Sequence, residues 1–480
     1  MFLPNSGKRK RIPNSGERKR SDVPSSDIEA EVTAGGVAAE HAGIDSGRIW
    51  NATSKQNWEV RPARVVNLKA DGKEGLEKLK QTISCLKNYK VEFFIEVALL
   101  EKPCEIGELL EILETVKVKI HSLELFNCDL TNAGLPLFLQ ECKSLHTLNL
   151  GWNESLTSVA NLGLDKCTSL RTLSLSGCKS LKSVTDLGKC TSLRTLNLSF
   201  CNLLWLGNEN ALASQMSHLE TIDLSYCKEL LDVSALAALK RLHTLNLRNC
   251  QCLDEVSALE GCPNLQTLDL GSCATLVDVA GLGQCFSLQK LDLSGCDQLA
   301  NVSALATLKH LHTLSLGRCP LLNDVSGLRE CKSLQHLRLD YCPALADVSA
   351  LSELKSLRDL TLRGCGSLAN VDTLSQCDSL HYLSLFKCNK LAHVNGLRGC
   401  LNLHTLNLSR CCELVDISAL EGCPNLNALD LSDCRKLGTV AVLGLRDSLR
   451  ILNVRGCTPQ IQKAAVRLQS ADLDLRCDEG

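Results

Sequence analysis

Aromatic side chains are scarce in this chain of 480 residues: 8 Phe, 4 Trp and 4 Tyr make up 3% of it. A large conventional core draws much of its buried area from such rings. Their scarcity excludes a row of ordinary globular domains and leaves Leu, Val, Ala and Cys to supply the interior. Long apolar runs are also missing. The best candidate, VEFFIEVALL from Val91 to Leu100, carries Glu92 and Glu96 and is roughly half the length of a membrane span. No membrane association is expected. The opening MFLPNSGKRKR has no apolar segment after its basic residues, so no secretory signal is expected, and the chain should work in a reducing compartment, the cytoplasm or the nucleus. The sequence lacks G-x-x-x-x-G-K-[ST], H-E-x-x-H, G-x-S-x-G and the kinase set, so neither catalysis nor a cofactor is expected.

Repetition is what the chain has in abundance. The segment HLETIDLSYC ends at Cys227, and the pattern L-x-x-L-x-L-x-x-C then recurs in ten steps of 23 residues, from Cys250 and Cys273 through to Cys457. Upstream it passes through Cys201, Cys178, Asn153 and Cys128 at steps of 26, 23, 25 and 25, giving 15 units. In the unit LQTLDLGSCATLVDVAGLGQC (Leu265–Cys285), alternation points Leu268 and Leu270 inward from a short strand and Thr267, Asp269 and Gly271 outward. Cys273, Leu276, Val279, Leu282 and Cys285 then recur about every three residues, which suits a tight turn or 3₁₀ segment returning the chain. Each unit is one turn of a solenoid, and it buries its apolar edges only against its neighbours.

With this period and with Cys in place of the usual Asn, the pattern is identified as a leucine-rich repeat. The resemblance implies an α/β solenoid, curved, of about 15 repeats, with a parallel β-sheet on the concave face and short turns or 3₁₀ segments on the convex one. The second halves of the units, such as LLDVSALAAL (Leu230–Leu239) and LADVSALSEL (Leu345–Leu354), resemble the leucine-rich repeat proteins of trypanosomes encoded with variant surface glycoprotein expression sites. Those proteins are described as adenylate cyclase regulators. Some of them carry a RING finger, but this sequence has no C-x-x-C pair, so that part of the resemblance does not transfer.

The repeats are expected to span residues 119–457. Before them, residues 56–118 read as an N-terminal capping region of longer, helix-containing repeat-like units: the strand-like ARVVNL, KVEFFIEV and KIHSLELFNC alternate with the helix-like GLEKLKQTISCLKNY and CEIGELLEILETV. After them, residues 458–480 read as a C-terminal cap, with Thr458 capping a helix that starts at Pro459 and buries Ile461, Ala465 and Leu468. Residues 1–55 lack apolar periodicity and read as a disordered basic arm. Its Lys8, Arg9, Lys10, Arg11, Arg18, Lys19 and Arg20, against the single acid Glu17, resemble a bipartite nuclear import signal. Without interleaved aromatics, nucleic-acid recognition by this arm is not expected.

Of the 28 cysteines, fourteen occupy the ladder position that ends the repeat pattern, and nine, from Cys142 to Cys423, occupy a second position three residues before the first Leu. Such placement fits a small apolar side chain with a weak S–H donor for a turn carbonyl better than it fits a metal or redox site. The outward strand positions are expected to vary freely and to carry binding. In the column just before the ladder Cys stand Trp152, Phe200, Tyr226, Arg318, Tyr341, Lys387 and Arg410, and nearby positions add His336, Arg338, Arg363, Tyr382 and Phe386. Exposed aromatics and Arg are the usual interface anchors. The expected function is a non-catalytic scaffold whose concave face holds a protein partner presenting an acidic segment. The alternatives are a regulatory subunit of adenylate cyclase or a protein phosphatase, and a substrate adaptor of a ubiquitin ligase.

Overall fold

The computed structural model describes residues 64–478 except 87, 89–90, 99–102, 132–135, 161, 205, 207–215, 446–447 and 469–471. The basic cluster from Lys8 to Arg20 lies outside the described residues. The chain enters through three longer strands, β1 (Arg64–Asp71), β2 (Val91–Ala98) and β3 (Ile120–Phe126), connected by helices α1 (Gly72–Leu86) and α2 (Pro103–Glu114). Helix α1 forms because Leu76, Leu79, Ile83 and Leu86 recur on one face, and that face is buried.

After a short helix, α3 (Pro136–Leu139), come fourteen three-residue strands, β4 (Thr147–Asn149) to β17 (Ile451–Asn453). Every strand pairs in parallel with its sequence neighbours, so that Leu245, Leu268, Leu291 and Leu314 stand in one line across four turns. The result is one open 18-stranded sheet, the concave side of a leucine-rich-repeat solenoid, with 3₁₀ turns such as Ser257–Gly261 and Ala280–Gln284 opposite. Asp side chains shape those turns: Asp278 accepts the Ala280 N–H at 2.8 Å, and Asp232 accepts the Ser234 N–H at 2.6 Å.

Both Cys positions work as the sequence suggested. The twenty-three ladder thiols are free and buried, and most reach one turn back: Cys273 Sγ donates to the Leu247 carbonyl and Cys285 Sγ to the Leu259 carbonyl, both at 3.2 Å. A thiol is small enough to let adjacent turns stack and polar enough to meet a carbonyl that faces the core. At the far end, α4 (Pro459–Val466) buries Ile461 and Ala465, and β18 (Asp474–Arg476) closes the sheet. Thr458 holds the extended N-cap conformation, but its side chain makes no capping bond. The expected hydroxyl cap is therefore absent, and Gln462 Nε2 instead donates to the Cys457 carbonyl at 3.0 Å.

Candidate functional site

The concave face follows one hydrogen-bond design. Four residues before the ladder Cys, an Asn or Asp oxygen accepts the N–H two residues further on: Asn149 from Gly151, Asn197 from Ser199, Asp223 from Ser225, Asp269 from Gly271 and Asp292 from Ser294, all at 2.8–2.9 Å. Asn407, Asp430 and Asn453 resume the pattern toward the C-terminus. This column is part of the fold and does not vary freely as the sequence suggested. Arg248 adds a crossing contact, reaching Asp269 at 3.5 Å and Asp292 at 3.3 Å over the bare Gly271.

The column just before the Cys lies beyond the strands, which corrects its reading as a strand position. All fifteen of its residues, from Asn127 to Gly456, have φ between 52° and 73°. Most are the left-handed third residue of a β-turn closed by a bond such as Cys273 N–H to the Leu270 carbonyl, at 3.3 Å. Only Gly177, Gly295, Gly364 and Gly456 are glycines; each other residue costs roughly 1 kcal/mol in that conformation.

Trp152, Phe200 and Tyr226 offset that cost by stacking. With Phe126 they form an aromatic ridge along the strand ends. Ring centroids are 6.4 Å apart for Phe126–Trp152, 5.9 Å for Trp152–Phe200 and 4.4 Å for Phe200–Tyr226, the last pair stacked nearly parallel at 6°. Phe126 escaped the sequence reading because the column two residues before the ladder Cys was followed only near Cys365 and Cys388. Trp152 reaches Phe200 across a whole turn because that turn carries Gly177, where a Cβ would lie 2.7 Å from Trp152 Cδ2. Gly177→Ala is therefore expected to cost about 2 kcal/mol, from left-handed strain plus displacement of the indole. Gly295→Ala, whose Cβ would meet only Ser272 Oγ at 3.3 Å, should cost less. Urea denaturation of both variants, with tryptophan fluorescence, checks the order; equal losses would mean that the ridge does not depend on the glycine.

The remaining residues singled out in the sequence gather at the turns ending in Cys342, Cys365 and Cys388, with Arg318 and Arg410 on the turns to either side. Here three concave columns leave their own pattern together. Thr gives way to His336, Asp359 and Tyr382; Asn or Asp gives way to Arg338, Thr361 and Ser384; Gly or Ser gives way to Asp340, Arg363 and Phe386. Tyr341 lies flat over Gly364, where a Cβ would be 2.5 Å from its ring. The Phe386 ring lies between two guanidinium groups, with its centroid 5.4 Å from Arg363 and 5.7 Å from Arg410.

The patch is less basic than its Arg, Lys and His content implied. His336 Nδ1 is 2.6 Å from Asp359, Arg338 is 3.8 Å from Asp340, and Arg410 is 3.3 Å from Asp433. Among the described residues, Arg318, Arg363 and Lys387 face no carboxylate. A polar groove of about 870 Å³ runs from His336 and Asp359 past Arg358 and the stacked rings of His381 and His404 to Arg450. Arg358 and Arg450 were not anticipated; each stands seven residues before its ladder Cys, in a column just ahead of the strand. Among the described residues, no three His, Cys, Asp or Glu side chains are grouped to hold a metal ion, and no helix is long and apolar enough to cross a membrane.

Comparison with known proteins bears on the fold. The BspA type leucine rich repeat region matches in six copies over residues 285–392, and a further leucine rich repeat matches residues 189–203. No curated protein matches the chain in sequence. Among solved structures, a leucine-rich repeat protein of Leptospira interrogans is 19% identical over 76% of this chain and 98% of its own, with a TM-score of 0.57. An internalin of Listeria monocytogenes is 20% identical over 71% of this chain and 89% of its own, with a TM-score of 0.52. The Toll–Spatzle complex of Drosophila is 16% identical over 83% of this chain and 52% of its own, with a TM-score of 0.58. Period, sheet and structural likeness together give this chain the leucine-rich-repeat fold.

Proposed function

We propose that the chain is a non-catalytic scaffold that binds a protein partner on its concave face, at the turns ending in Cys342, Cys365 and Cys388. One observation carries this reading: three separate columns abandon the repeat's own residues at the same three turns, while the Leu and Cys core there stays unchanged. Elsewhere departures fall in one or two columns at a time, apart from the first turn, where Ser122, Glu124 and Phe126 differ together. The departing residues also include aromatic and Arg side chains, the types that dominate interface energies.

The partner is proposed to present an acidic segment, because Arg318, Arg363 and Lys387 face no carboxylate among the described residues. The units before residue 119 and after residue 457 are proposed to cap the ends of the sheet. The unpaired buried thiols favour a reducing compartment.

The test is affinity capture from native lysate with wild type and with a variant carrying Arg338→Glu, Tyr341→Ala and Arg363→Glu, followed by direct binding of the purified captured protein. A partner whose affinity falls by at least about tenfold for the folded variant supports the reading. Unchanged capture would move binding to the aromatic ridge or the convex side. A catalytic activity that co-purifies with the chain would favour an enzyme-regulating subunit over a passive scaffold.

A further inference from the structure

Among the described residues, four buried side-chain polar atoms have no hydrogen-bond partner, and three of them, Thr361 Oγ1, Arg363 Nε and Ser384 Oγ, belong to one spot on the concave face. Thr361 and Ser384 are in register on adjacent strands, and Arg363 follows Thr361 by two residues. Ser384 is fully buried.

The cause lies in the broken Asn/Asp column. At most turns the side chain four before the ladder Cys is an acceptor that takes an N–H; here Thr361 and Ser384 put hydroxyls in its place. The Arg363 N–H has recruited a substitute, Asp340 Oδ1 at 3.0 Å, while the Phe386 N–H has no side-chain acceptor. The Arg363 guanidinium leans on the Phe386 ring and meets no carboxylate. Two hydroxyls, a guanidinium and a backbone amide, all able to donate, thus stand on neighbouring turns with no carboxylate to receive them. Leaving buried donors unpaired is costly, and charge-assisted bonds to an anion are the strong way to satisfy them.

The geometry points to a seat for an oxyanion, a carboxylate or phosphate group carried by the partner, formed by Thr361, Arg363, Ser384 and the Phe386 amide. This rests on the concave-face reading and adds what the partner must place there. The seat costs stability while empty, so binding and specificity come from the same unpaired donors. A partner segment lacking the anion leaves Arg363 uncompensated and is rejected.

The experiment is thermal unfolding of the full chain in about 50 mM inorganic phosphate, acetate or chloride at equal ionic strength, for wild type, Arg363→Gln and Arg194→Gln. Arg194 lies near the same face but beside Glu220, at 3.5 Å, and serves as the control. Phosphate or acetate is expected to raise the wild-type midpoint by about 2 °C over chloride, and Arg363→Gln is expected to remove most of that shift while Arg194→Gln keeps it. Without oxyanion, Arg363→Gln should melt no lower than wild type, because it removes an uncompensated charge. A shift larger with phosphate identifies a phosphorylated group, and one shared with acetate identifies an acidic side chain.

An equal shift in all three proteins would be a general salt effect and would overturn the seat. A lower melting point for Arg363→Gln with its anion response intact would make Arg363 merely structural and would also overturn it. The two proposals fail separately. Partner capture that survives the triple variant sinks the concave-face reading while an Arg363-dependent anion shift still stands, and a lost partner without any anion shift does the reverse.

Discussion

Raised from about pH 8 to about pH 10 in the presence of a reductant, the array is expected to unfold cooperatively. Burial is the leading cause: it pushes the thiols of Cys262, Cys365 and Cys377 up to about 11 and those of Cys142, Cys285 and Cys400 to about 12, and those of Cys250 and Cys296 higher still. In the unfolded chain a thiol titrates near 8.5. The folded state therefore keeps protons that the unfolded state releases, so the contribution is whole below about pH 8.5 and shrinks as pH climbs toward the folded values. At about pH 10 each rung has lost on the order of 1–2 kcal/mol. Summed over the ladder thiols raised in this way, the combined loss exceeds the roughly 5–15 kcal/mol by which domains are usually stable. Circular dichroism against pH measures this, and replacing four ladder cysteines by Ala should move the midpoint upward. Native ellipticity persisting at about pH 11 would show that the thiols are not held away from water.

Restoring the repeat's own residue at its one exception should do harm. Asn153→Cys is expected to destabilise the N-terminal turns by about 3 kcal/mol, since it removes several buried hydrogen bonds at once. Asn153 is fully buried. Its Oδ1 accepts the N–H groups of Cys128 and Leu130 at 2.9 and 3.0 Å, and its Nδ2 donates to the carbonyls of Leu125 and Leu150 at 2.8 Å each. The first turn has a second left-handed residue, Asp129 with φ 48°, and its amides point toward the next turn, where only a side chain with both a donor and an acceptor can serve them. A thiol replaces one of these bonds at most. Urea denaturation gives the loss, and amide exchange at Cys128 and Leu130 locates it. An unchanged midpoint with unchanged exchange would mean that water substitutes freely for the amide.

Much of this fold could be read from the sequence, because a solenoid repeats its instructions. The 23-residue step, the inward Leu268 and Leu270 and the two Cys columns each occur many times over, so one error does not mislead. The backbone of the column before the Cys was harder to read. Eleven bulky or polar residues conceal a left-handed turn that only Gly177, Gly295, Gly364 and Gly456 betray. The hydrogen-bonding role of Asn197 or Asp269 was hidden for a related reason: an outward polar residue on a strand reads as solvated until the turn that follows brings an N–H to meet it. Charge pairing in the patch was invisible because Asp359 and Asp433 lie 23 residues from His336 and Arg410, so a reading by residue type counts the cations and passes over the acids stacked beside them. At Thr458 a favourable capping residue was identified, but the side-chain bond depends on a rotamer that sequence does not specify.

Uniform turn length carries one more consequence. Tyr226, at the end of the aromatic ridge, and Tyr341, in the basic patch, occupy the same column five turns apart, which at about 4.8 Å per turn is roughly 24 Å along the axis. Every turn between them has one length and one register. Excising a single 23-residue copy would bring the two surfaces closer by one graduation and leave every column aligned. Recombination between neighbouring copies can therefore adjust the reach between two contact points in fixed increments without redesigning either, and the array serves its chain as a ruler.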